Sequence, residues 1–203
     1  CLVGSEMCIR DRLMTGTTIE AKFYSGVSNL VGNAPLEQAM QVEFDKLGPV
    51  MFDDEDAAFA DEIRKTLTAD DIAASFQRAG RETPPDLPLC DFVAPLERPS
   101  IGGEGSTDVG DVSWVTPTVQ ARVATCAVGT PFHTWQTVAQ GKAPAAHKGM
   151  IHAAKVMAAT ATHLINSPET LQAAREIHDQ RQNATPYVSY THLRAHETTP
   201  HLV

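Results

Sequence analysis

Residues 119–129 read VQARVATCAVG, and the fold class turns on them. The run is apolar and β-branched, so it predicts a buried strand. A second strand is predicted over residues 17–24, TTIEAKFY. There Ile19, Ala21 and Phe23 alternate with Glu20, Lys22 and Tyr24, the period of a half-buried strand. Three helices are expected between the two. Asn33 is placed to cap the first, with Pro35 early, Leu36, Met40, Phe44 and Leu47 as its stripe, and Gly48-Pro49 as its stop. The second spans Asp53 to Leu67, with Phe59, Ile63 and Leu67 facing inward. The third opens at Thr68, with Asp71 completing a capping pair, turns Ile72, Phe76 and Ala79 inward, and ends at Gly80.

Beyond them, residues 81–100 carry five prolines and read as an irregular crossing with a short strand at Asp91 to Ala94. A glycine-bearing loop then leads into a short helical turn. After the strand at 119–129 comes a long loop. MIHAAKVMAATATHLI (150–165) is the clearest helix, with Met150, Ala154, Met157, Ala161 and Leu164 in register. Ser167, Pro168 and Glu169 open the last one. Strand, three helices, strand, two helices is an α/β pattern. A compact sheet needs more strands than this, so the body reads as incomplete.

The two ends carry a different signal. The first eleven residues, CLVGSEMCIRD, can be encoded so that the complementary strand reads VSYTHLRAHET, which is Val188 to Thr198. Segments selected for folding have no reason to be antisense to one another. Residues 1–12 and 188–203 therefore read as one DNA element, resembling a sequencing adapter, translated in both orientations, and they are set aside from fold reasoning. His192 and His196, followed by Glu197, have the i, i+4 spacing of a zinc helix. A self-contained metal domain built on them is one reading, but the antisense relation removes its basis.

The net charge is −9. No Lys/Arg cluster indicates nucleic acid, and no apolar run approaches a membrane span. Cys90 and Cys126, without a C-x-x-C, indicate a reducing compartment such as the cytoplasm.

Candidate chemistry lies in three places. STDVGD puts Ser106, Thr107, Asp108 and Asp111 before the predicted strand. They either line an active site, or Ser106 or Thr107 caps a short helix whose start the acids favour. His133, in AVGTPFHTW, stands just beyond that strand, either as a metal ligand or as a structural histidine. His147 precedes the long helix. With Lys148 it either meets an anion or caps the helix. The acidic run at residues 53–56 reads as a solvated first turn rather than a metal site. His152, His163 and His178 read as surface or packing residues.

Residues 105–158, through the blocks STDVGDVSW, GTP-F-HTWQ and AHKGM, resemble the M20 family of metal-dependent amidohydrolases and peptidases. The likeness extends more loosely to the strand near Thr17 and to TPYV. It implies the C-terminal half of a zinc-peptidase-like α/β catalytic domain over residues 32–187. Residues 13–31 would be the exit strand of an α+β lid, or dimerisation, domain. The implied cofactor is a pair of divalent metals, zinc or manganese. The implied reaction is hydrolysis of an N-acyl or N-aryl amide of an amino acid such as glutamate. The intact protein is then a homo- or hetero-oligomer, with a related hydrolase subunit as a possible partner. His133 falls where the family has its late histidine ligand, while Ser106, Thr107, Asp108 and more weakly His147 fall at substrate contacts. The family's H-x-D motif, bridging acid, Glu-Glu pair and general base have no counterpart here, so this chain alone is expected to be inactive. A non-catalytic binding or assembly subunit is the alternative.

Overall fold

A computed structural model describes residues 14–18, 26–81, 87–97 and 107–188. The chain divides into two units. The unit formed by Cys1–Ser28 and Val188–Val203 is described only at 14–18, 26–28 and Val188. There the hydroxyls of Thr15 and Thr17 lie 2.9 Å apart. Residues 19–24 of the strand expected over 17–24, and nearly all of both adapter-like ends, fall outside the described residues.

The second unit, Asn29–Tyr187, is helical. Its elements are α1 (Ala34–Leu47), α2 (Asp54–Arg64), α3 (Ala69–Arg78), α4 (Val109–Val115), α5 (Trp135–Gln140), α6 (Pro144–Ile165) and α7 (Pro168–Ala184). Among the described residues there is no strand, and this overturns the α/β assignment. The decisive run at 119–129 shows why. From Val119 to Val123 half-buried and exposed residues alternate, as a strand pattern would have them. A strand is defined by its backbone ladder, however, and not by its side-chain pattern. Among the described residues the bond from Val128 N–H to the Pro88 carbonyl (2.8 Å) is isolated. The apolar side chains of this run pack on helices. Gly149 of α6 is buried against it, and a methyl group there would collide with the Ala124 carbonyl and the Thr125 side chain. Gly129, at φ +97°, is likewise pressed on Ile72 of α3. Asp91 to Ala94 forms no strand either. Its ties are to side chains, with Gln41 donating to the Ala94 carbonyl (3.3 Å) and the Arg81 guanidinium 4.0 Å from the Phe92 ring centre.

The starts of α1, α2 and α3 follow the sequence closely, whereas α5 lies in the stretch expected as a long loop and α6 begins at Pro144, ahead of the expected Met150. The Asn33 side chain accepts from Leu36 N–H at the head of α1, while Glu37 accepts from Asn33 N–H (3.0 Å). Gly48 ends that helix. Asp53 with Asp56, and Thr68 with Asp71, form reciprocal capping boxes at α2 and α3. Such caps satisfy first-turn N–H groups that have no partner within the helix.

α1 packs on α6 and α7, which also pack on each other. Leu36, Ala39 and Met40 of α1, Val156 of α6 and Ala174 of α7 are buried there. Asn33 also donates to the Ala174 carbonyl (2.9 Å), locking α1 to α7. A second core joins Ala60, Ile63, Leu89, Ala127 and Ala145, with Phe52 against it. Two inward faces differ from expectation. α2 turns Asp56, Ala60 and Ile63 inward and leaves Phe59 exposed. α6 buries Ala145, Gly149, Val156 and Thr160, and exposes Met150, Ala154, Met157 and Ala161. α6 is apolar on both sides, so its periodicity marks either face equally well.

Candidate functional site

Thr107 and Asp108 introduce α4. The Thr107 hydroxyl accepts from Val109 N–H (3.3 Å), and its carbonyl accepts from Gly110 N–H (3.0 Å). These bonds make a local turn one residue ahead of the cap, not the expected side-chain cap. Asp108 occupies the cap position itself, yet its carboxylate makes no capping bond and is exposed. Ser106 lies outside the described residues. α4 is short, so its position is set by tertiary bonds. Val31 N–H donates to Ser113 Oγ (3.0 Å), and Ser113 Oγ–H donates to the Gly110 carbonyl (2.6 Å). Trp114 Nε1–H donates to the Asn29 carbonyl (2.9 Å), and the indole stacks on Tyr187.

His133 sits on a tightly built turn between Gly129 and α5. Buried Gln140 accepts from Ala127 N–H (2.7 Å) and donates to Thr130 Oγ1 (3.0 Å). The hydroxyls of Thr134 and Thr137 both donate to the Pro131 carbonyl (2.8 and 2.7 Å). Thr134 also caps α5 by accepting from Thr137 N–H. The turn holds His133 at φ +62°, a conformation that non-glycine residues adopt with strain. The imidazole is exposed, and Phe132, Trp135 and Val138 beside it in sequence are exposed too. No hydrogen bond or ion pair ties the ring to another described residue.

His147 does not precede α6. It lies within the first turn, with its N–H directed at the Ala143 carbonyl (3.3 Å), so it caps nothing. Nor is Lys148 available to an anion. Its Nζ lies 2.5 Å from Asp53 Oδ2 and also bonds Asp56 Oδ2. These bonds, to Asp53 first and Asp56 second, hold the ammonium pKa above its ordinary value. The bond from Lys148 holds the Asp53 carboxyl below its own. The acidic start of α2 is therefore only partly a solvated turn. Asp54 and Glu55 are exposed, while the Asp56 side chain is 1% exposed and faces Lys148. The partners stand more than ninety residues apart, so no local pattern announces the bridge. Glu43 and His163 form a similar tie (2.7 Å). Bonds from Lys46, then from His163, lower the Glu43 pKa.

The other histidines serve packing. His152 lies against Phe44, and its Nε2, like that of His178, is buried without a hydrogen-bond partner. Cys90 and Cys126 are free thiols whose pKa values burial raises, which favours the unreactive protonated form. Among the described residues no group of three or more His, Cys, Asp or Glu is arranged to hold a metal ion. His133, Asp108 and His147 supply donors one at a time, so the described residues do not by themselves fit a dinuclear metal centre. No described helix is long and apolar enough to cross a membrane.

A known protein shares this sequence pattern. The chain is 40% identical to a subunit of the p-aminobenzoyl-glutamate hydrolase of Escherichia coli (strain K12). The match runs over 189 residues and 86% of this chain, but it spans only 38% of the relative's length. No protein-family profile matches the chain, and no solved structure matches it.

Proposed function

We propose that this chain is part of a metal-dependent amidohydrolase of the M20 type. Its substrate would be an N-acyl or N-aryl amino acid such as p-aminobenzoyl-glutamate. The observation that carries the reading is the 40% identity sustained over 86% of the chain. In this reading residues 32–187 are part of the catalytic domain and residues 13–31 lead out of a lid. The setting is cytoplasmic, within folate catabolism. The two ends, adapter-derived, play no part. His133 contributes one imidazole to a zinc or manganese site whose other ligands, and whose general base, lie outside the described residues. Ser106, Thr107, Asp108 and His147 contact the substrate. The exposed ring of His133, held on its strained turn, supports the first assignment, and the exposed carboxylate of Asp108 supports the second.

The test is a chimera in which this chain replaces the matched region of the E. coli relative. The chain alone, with zinc or manganese, is expected to leave p-aminobenzoyl-glutamate intact, whereas the chimera is expected to hydrolyse it. His133→Ala in the chimera should lower kcat/KM by about 100-fold or more, since a lost metal ligand removes several kcal/mol of transition-state stabilisation. A soluble, metal-loaded chimera without activity would sink the reading. An unimpaired His133→Ala chimera would sink the ligand role alone.

The relative is named as one subunit of a hydrolase, which favours a second reading, a binding or assembly component of a hydrolase complex. Under it, the chimera binds a related hydrolase subunit and is inactive in the presence of metal.

A further inference from the structure

α6 carries two apolar faces, and the fold uses only one. Opposite buried Gly149, Val156 and Thr160 stand Met150, Ile151, Ala154, Met157, Ala161 and Ile165, all exposed. Met150 is 60%, Met157 54% and Ile165 78% exposed. At 100° per residue these six fall within an arc of about 120°, and from Met150 to Ile165 they run about 22 Å along the axis. No charged residue interrupts the arc, and Lys155 and Thr162 lie at its edge. A helix that is apolar all round belongs in an interior, and a continuous exposed apolar strip marks a surface that something covers.

We propose that this strip is the seat of the polypeptide corresponding to the part of the relative that this chain does not match. The chain spans 38% of that protein, so the relative holds unmatched polypeptide of ample size to serve as the cover. A second copy of this chain is the less favourable occupant. A strip about 22 Å long and one helix wide falls well short of the roughly 800 Å² per partner that a stable dimer buries. A segment joined in cis has no such requirement, because its effective concentration is already high. The proposal rests on the sequence relationship and not on any activity. α6 would then be an interior helix sandwiched between two layers, with Val156 facing one and Met157 the other.

The experiment is peroxide oxidation followed by peptide mass spectrometry, on the full 203-residue chain and on the chimera with the E. coli relative. Met150 and Met157 should oxidise quickly in the chain alone and at least about tenfold more slowly in the chimera, as burial shields the thioether. Met51, 79% exposed and outside α6, serves as the internal reference. Met150→Glu with Met157→Glu should leave the melting temperature of the chain alone unchanged and lower that of the chimera. Equal oxidation rates in the two proteins would overturn the proposal, as would a chimera indifferent to the double substitution or unable to fold. Oxidation in the chain alone that slows with rising protein concentration would overturn it in favour of self-association. An inactive chimera with shielded methionines would refute the hydrolase reading and leave this surface standing.

Discussion

The two faces of α6 are close in composition and opposite in fate. Val156 is fully buried, while its neighbour Met157 is half exposed. Gly149 lies against the Ala124 carbonyl, whereas Met150 meets solvent. Hydropathy alone does not separate them. What does is the partner: α1, α7 and the run at 119–129 pack on one side, and no described element covers the other. An apolar face of a helix is therefore a demand for a neighbour, not evidence that the neighbour is in the same chain.

Substitutions on the two sides should differ sharply. Val156→Asp puts a carboxylate at a fully buried position. The cost is several kcal/mol, and loss of the cooperative melting transition is expected by circular dichroism. Gly149→Ala is subtler. Helix propensity favours alanine by about 1 kcal/mol, but the new methyl meets backbone atoms of Ala124 that cannot swing aside. Overpacking costs about 1–3 kcal/mol, so a net loss is expected in a urea titration, and a gain would show that α6 stands further from the 119–129 run. Glu43, bonded to Lys46 and His163, has a folded pKa below the ordinary 4.5. Its contribution is complete above that ordinary value and is lost as pH falls through the lower folded one. Acid melting curves of wild type and Glu43→Gln should therefore converge at low pH, and parallel curves would refute the tie. Met157→Glu, on the open face, should change stability by no more than about 0.5 kcal/mol. A larger loss would mean that the chain already covers this face.

Much of the local structure was legible beforehand. Asn33, Asp53 and Thr68 each cap the helix that their side chains predict, because a cap is a contract between residues three apart. At α4 the expected cap by Thr107 is not made: the cap position falls to Asp108, which makes no capping bond. The bridge from Lys148 to Asp53 and Asp56 was not legible, and it changes the site. It consumes the cation that His147 was expected to join in holding an anion. The strain at His133 was hidden as well, since nothing in TPFHTW marks a positive φ at a histidine.

By itself, the sequence determined the caps that start α1, α2 and α3 and the kinship with a hydrolase subunit. All of these follow from residues near one another or from identity along the chain. Only the tertiary structure decided that VQARVATCAVG forms no ladder among the described residues, and which face of α6 is inside. Both are properties of pairs of segments. An alternating or apolar pattern records that a surface is to be buried, but the identity of the partner is carried by residues elsewhere in the chain.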